Sequence, residues 1–202
     1  MSEMKDYSLE QGQEIVKLAR KSIKFFLLTG NRINDLPSKK FFEEKRGAII
    51  SVKSMKDKTL LGSLGFPEAK YSLWDAVIEG AINAATRDPR FKALKSSDLD
   101  KVLIEVSVLS KAKEIKTESR DQLLEEIHLG EDGLIAEKEN KKALMLPYEP
   151  IIQKWSVKTF LEEICFKAGL LRTSWRERRV HFYKFQTQTF IEEEPEGKVI
   201  ES

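Results

Sequence analysis

Three short groups of residues carry chemistry-bearing side chains at suggestive spacing. Gly62-Ser63-Leu64-Gly65 sets a hydroxyl between two glycines. Such a stretch can turn its backbone N–H groups toward an anion or a carbonyl oxygen, or it can be a strand-to-helix turn that needs glycine for its backbone angles. It lacks the Lys-Ser/Thr pair of a phosphate-binding P-loop. Arg87, Asp88 and Arg90 flank Pro89 after an expected helix. They could hold a carboxylate or phosphate in a bidentate fork, or pin their own loop by an ion pair. Glu105 sits among apolar residues of an expected strand, where a carboxylate needs a partner. It is either a general base with a raised pKa or the partner of one of those arginines, and the pairing is the reading adopted.

The remaining polar candidates are sparser. Cys165 is the single cysteine, and His128 and His181 are the two histidines. No internal disulfide can form, no cysteine or histidine metal cluster can be assembled, and no cofactor is expected. Cys165 falls on an apolar helical stretch and reads as a small buried hydrophobe. Trp74, Trp155 and Trp175 either line a pocket or pack. Arg172, Arg176, Arg178 and Arg179 surround Trp175 and could touch nucleic acid, with solvated loop charge as the commoner role. Glu79 reads as a surface residue.

Composition narrows the classes. Of 202 residues, 41% are hydrophobic and 34% charged, enough for a buried core under a strongly ionic surface. The lysine and glutamate bias is one that heat-adapted proteins share. Basic residues number 35 and acidic ones 33, spread along the chain, which argues against a strongly basic nucleic-acid binder. The N-terminal MSEMKDYSLEQGQ has no apolar signal core, and no window reaches the roughly 18 apolar residues of a membrane helix. The expectation is a reduced cytoplasmic protein that avoids membranes.

The elements that must position these groups follow from periodicity. Helices are expected at 8–29, with Ser8 and Gln11 as a capping box and Gly30 as the stop, at 72–86, capped by Ser72, and at 157–168, capped by Ser156. Strands are expected at 47–52 and 102–109, as a hairpin of 133–137 with 143–146, and as one long strand over 180–191. Residues 111–126 read as a charged arm with a short helix, and the tail after Glu192 reads as loose. Helices and strands mix without regular alternation. The class is therefore α+β, with a mainly antiparallel sheet flanked by helices.

The order of several blocks resembles the AMMECR family. Leu60-Leu61-Gly62-Ser63-Leu64-Gly65-Phe66 is similar to its LRGCIGF signature. Arg87-Asp88-Pro89-Arg90-Phe91 resembles its DPRF block, and Ile104-Glu105-Val106-Ser107-Val108-Leu109 its EVSVL strand. Gly130-Glu131-Asp132-Gly133-Leu134, Leu144-Met145-Leu146-Pro147 and the helix from Thr159 to Leu170 complete the order, over roughly residues 8–192. The signature's arginine and cysteine are Leu61 and Ser63 here, which removes a thiol nucleophile if the family uses one.

The resemblance implies one domain over 1–202 with two unequal lobes and a cleft between them. The larger lobe is expected from about 8–110 and 143–192, the smaller from about 111–142. The candidate cleft set is Gly62, Ser63, Gly65, Arg87, Asp88, Arg90 and Glu105. The expected role is a ligand- or partner-binding protein of undefined activity, taking a small anionic ligand or a protein partner. The alternative that the resemblance implies is an enzyme, or an enzyme's partner, in a modification pathway with Memo-like and radical S-adenosylmethionine proteins.

Overall fold

The computed structural model describes residues 7–202; residues 1–6, which begin the stretch read as lacking a signal core, lie outside the described residues. By its internal contacts the chain divides into two compact units. One runs to Leu109 and resumes over Gln188–Ser202; the other is Ser110–Thr187. Residues 143–187 fall in the second unit by these contacts. The hairpin and the helix after it supply that unit's core, so they cannot be separated from 111–142.

In the first unit, helix α1 spans Leu9–Thr29. Ser8 Oγ accepts from Gln11 N while the Gln11 side chain accepts from Ser8 N, closing the expected capping box. Gly30 ends the helix in the left-handed conformation at φ 72°, where a β-carbon would be strained. Strands β1 (Gly47–Ser54), β2 (Leu60–Phe66) and β3 (Val102–Leu109), with helix α2 (Leu73–Thr86), complete the centre. Ala48, Ile50, Val52, Ile104, Val106 and Val108 point to one face of the sheet and are buried with Ile15, Ala19 and Ile23 of α1 and Val77 and Ala81 of α2. Membrane passage has no helical candidate: no helix among the described residues is long and apolar enough to cross a bilayer.

The segment 60–66 is a strand, not the turn its glycines imply. It pairs antiparallel with β1. Neither Gly62 nor Gly65 has positive φ. Space is the reason for both: a β-carbon at Gly62 would meet the Ala84 carbonyl oxygen of α2, and one at Gly65 the Ala48 carbonyl oxygen of β1. The small face of α2, with Gly80 over Ile50, lets the helix lie this close.

The expected strand at 180–191 is two strands in two sheets, β7 (His181–Phe185) and β8 (Thr187–Glu192). The break falls at Gln186. Its carbonyl accepts from Ser110 N, and its N–H donates to Ser110 Oγ, so its backbone groups are satisfied away from either ladder. The tail is not loose either. Val199–Glu201 forms β9, antiparallel to β8, and Val199 is buried. The first sheet therefore runs β2-β1-β3-β8-β9.

A buried ion pair ties α1 to this sheet. Arg20 donates through Nε and Nη2 to Glu192, both at 2.5 Å, and also to the carbonyls of Leu99 and Val102. Glu192 also accepts from Ile104 N at 2.8 Å. This fork was invisible as a pattern because its ends lie 172 residues apart.

The second unit holds β4 (Lys113–Glu114), the hairpin β5 (Gly133–Lys138) and β6 (Lys141–Met145), and β7, in the order β4-β7-β5-β6. Short helices lie at Leu123–Glu126 (α3) and Glu149–Ile152 (α4). Helix α5 (Val157–Lys167), capped by Ser156 as expected, buries Phe160, Leu161, Ile164 and Cys165 against Leu134, Ala136 and Phe182. Trp175 completes this core. The three described antiparallel ladders of this sheet, with those of the first, make the fold α+β.

Candidate functional site

Register builds the site. Ser51 of β1 pairs with Ser63 of β2 on one side and Glu105 of β3 on the other. Paired residues of antiparallel strands point to the same face. Ser63, Ser51 and Glu105 therefore form a polar row across the sheet, on the face opposite the helices. Ser51 Oγ and Ser63 Oγ are 3.0 Å apart. Lys53, two residues along β1 from Ser51, reaches diagonally to Glu105, with Nζ 2.6 Å from Oε2. Farther along the same face, Ser107 Oγ lies 2.9 Å from Thr189 Oγ1.

Glu105 is buried, and its partner is Lys53 rather than an arginine of the 87–90 loop. The strand pairing decides this. Lys53 stands opposite Leu103, one step from Glu105 on the same face, within reach of a long side chain. Lys53 and Ser51 were missed in the sequence. They alternate with Ala48, Ile50 and Val52 along GAIISVK, so the signal existed once β1 was known to pair with β3.

The Arg87–Arg90 loop meets the edge strand at one residue. Asp88 Oδ2 accepts from Ser63 N at 2.8 Å, and Arg90 Nη2 donates to Ser63 O at 3.0 Å. Arg90 also holds Asp88 through Nε at 3.0 Å and Nη2 at 2.7 Å, and its own N–H donates to Asp88 Oδ1 at 3.1 Å. Strand β2 is the edge of its sheet, so the outward peptide groups of Ser63 have no strand beside them. Asp88 and Arg90 take the place of that strand, one accepting and one donating. The Arg90 guanidinium, with help from the Ser63 N–H, holds the Asp88 carboxyl well below the usual carboxylate range, against the opposing effect of burial.

The expected set is thus brought together in part. Gly62, Ser63, Gly65, Asp88 and Arg90 form one cluster, joined through Ser51 to Glu105. Arg87 is placed apart: it is exposed, donates to Asn83 Oδ1 at 2.9 Å, and lies over the Phe26 ring of α1. Leu61 sits where the β1–β2 register shifts, opposite the step from Val52 to Lys53. A β-bulge at that position turns its side chain onto the helix-side core. Glu79 pairs with Arg32 at 3.3 Å. Trp74 Nε1 donates to the Asp35 carbonyl and the ring packs on Phe42, a structural role. Among the described residues no three His, Cys, Asp or Glu side chains cluster as metal ligands.

The model of the AMMECR1 family matches residues 16–190. Protein MK0488 of Methanopyrus kandleri is 38% identical over 195 residues, covering 96% of this chain and 94% of that protein. Protein MJ0810 of Methanocaldococcus jannaschii is 38% identical over 198 residues, 98% of each chain. The crystal structure of the uncharacterised protein PH0010 from Pyrococcus horikoshii is similar at a TM-score of 0.90 and 34% identity, over 96% of this chain and 97% of that one.

Proposed function

The chain belongs to the AMMECR1 family, and from that premise we propose that it is a ligand- or partner-binding protein that uses the polar face of its first sheet around Ser63. One observation carries the reading. The hydrogen-bond partner of the Ser63 hydroxyl is another serine hydroxyl, that of Ser51. A serine becomes a nucleophile only beside a group that takes its proton, and a second serine does not do so at neutral pH. The imidazoles of His128 and His181 lie against Asp132 and Glu114. Asp88 addresses the Ser63 backbone and is held ionised by Arg90, which makes it a weak base.

Binding, by contrast, suits the row. Two hydroxyls, an ammonium and a carboxylate set donors and acceptors side by side on one β-face, whose edge backbone is fixed by the Asp88–Arg90 clamp. Burying such groups brings little stability over apolar side chains of the same shape. Their presence here fits recognition of a polar ligand or chain segment. Arg90 is committed to Asp88 and the Ser63 carbonyl, and Lys53 to Glu105, so the face offers its hydroxyls and the outer edges of these pairs.

The test is native mass spectrometry of the purified chain, with Ser63→Tyr as the variant that fills the row. The expected result is a retained mass that this variant loses. A fluorophosphonate probe should leave Ser63 unlabelled. Labelling at Ser63 would establish an activated serine and overturn the non-catalytic reading.

A further inference from the structure

A second set of charges lies in the other unit and is independent of the Ser63 row. The segment from Glu114 to Arg120 and the segment from Arg178 to Phe182 enclose a cavity of about 340 Å³. That is within the range of small-molecule sites, roughly 300–1,000 Å³. Ile115, Val180 and Phe182 back it, with their side chains buried in the core of this unit. Its rim is cationic, carrying Lys116, Arg120 and Arg178.

The cations differ in how they are held. Arg120 is fixed: Nη2 donates to the carbonyls of Glu177 and Val180, and the guanidinium lies over the Phe182 ring at 6.0 Å. Its Nε is buried and has no hydrogen-bond partner. An N–H in that position ordinarily finds an acceptor. Lys116 and Arg178 are exposed and make no salt bridge among the described residues. Of the acidic side chains at the rim, Glu114 is engaged by His181 Nδ1 at 2.9 Å, and Glu118 is exposed. Burial first, and the charge of Arg178 second, push the Arg120 guanidinium below its ordinary pKa. Two like charges so placed repel unless an anion lies between them.

The loop that carries the rim is ordered in advance. Gln122 Oε1 accepts from the N–H groups of Glu118 and Ser119, at 2.9 and 3.3 Å, and Ile115 N donates to the Phe182 carbonyl at 2.8 Å. This leaves the Thr117 and Ser119 hydroxyls at the cavity wall as additional donors. A planar guanidinium, an ammonium and hydroxyl-bearing side chains around one cavity match the oxygens of a phosphate group.

We propose that this cavity binds a small phosphorylated organic molecule, its phosphate held by Lys116 and Arg178 beside the fixed Arg120. Calorimetry at low salt with inorganic phosphate, pyrophosphate and ADP tests it. The expected result is binding of ADP, weakened roughly tenfold by Lys116→Ala or Arg178→Ala and further by both. Both residues are exposed, so the variants should keep the wild-type circular dichroism. Lys56→Ala removes one charge from an exposed turn of the other unit and should leave the isotherm unchanged. The absence of heat with all three probes, or wild-type affinity in the double variant, would overturn the assignment. So would binding of single-stranded RNA with none of the small phosphates, since the site would then serve a polymer backbone.

Discussion

Asp88 offers the sharpest test of the edge clamp. Its side chain is 1% exposed and accepts four hydrogen bonds, three from Arg90 and one from Ser63 N. Truncation by Asp88→Ala strands the Ser63 N–H on the open edge of β2 and releases the Arg90 fork. A hydrogen bond to a charged group contributes about 1.5–3 kcal/mol. Arg90 is 59% exposed and regains water when released, so its share is discounted toward the surface range of about 0–1 kcal/mol. The expected loss is about 2–4 kcal/mol, or roughly 4–16 °C in melting temperature for a chain of this length. The sign with pH follows from the depressed carboxyl. Its folded-state pKa lies below the unfolded value, so the stabilisation is complete above about pH 4 and is lost as pH falls from there through the folded value. Urea titrations of wild type and Asp88→Ala at pH 7 and pH 3 measure this. The gap between them should be widest at pH 7 and narrower at pH 3. Coincident curves at pH 7, or a gap that widens on acidification, would refute the clamp.

Glu105→Leu alone should cost about 1–3 kcal/mol, because Lys53 loses its partner on a mostly buried face, while Glu105→Leu with Lys53→Met should recover most of it; urea midpoints compare the two. Gly62→Ala should destabilise the first unit by about 1–3 kcal/mol or more, since a β-carbon there meets helix backbone that cannot give way, and a lowered melting temperature reads it. Cys165, fully buried and with its thiol pushed up to about 12 by burial and by Glu177, should resist Ellman's reagent in the native state and react on unfolding in urea. Fast native labelling would place that thiol at the surface.

Helices were the most legible part of the sequence. Caps at Ser8, Ser72 and Ser156 and the stop at Gly30 are local signals that name their own positions. Strand ends and partners were not local. The run 180–191 alternates smoothly, and nothing within it shows that Gln186 leaves one sheet for another. The glycines of 60–66 read as backbone punctuation, whereas their role is to admit the Ala84 and Ala48 carbonyls; a clash with a distant element leaves no mark in the nearby sequence. Within the candidate site, Asp88, Arg90 and Ser63 could be grouped by type. The exclusion of Arg87 and the choice of Lys53 for Glu105 required the register.

The geometry also separates what the signature does for folding from what it offers to a ligand. Gly62 and Gly65 are steric, Leu61 fills a bulge over the core, and Asp88 with Arg90 closes the open edge at Ser63. These five roles concern backbone and packing, and none needs a substrate. The side chains they leave unexplained are the Ser63 and Ser51 hydroxyls and the Lys53–Glu105 pair, which face away from the helices. An apolar row there would satisfy the fold equally well, since a buried ion pair rarely stabilises more than its hydrophobic counterpart. A variant with Ser51→Ala, Ser63→Ala, Lys53→Met and Glu105→Leu should therefore fold with stability near that of wild type, yet lose any retained ligand in the native mass spectrum. If it unfolds, the row is structural after all, and binding must be sought elsewhere on the chain.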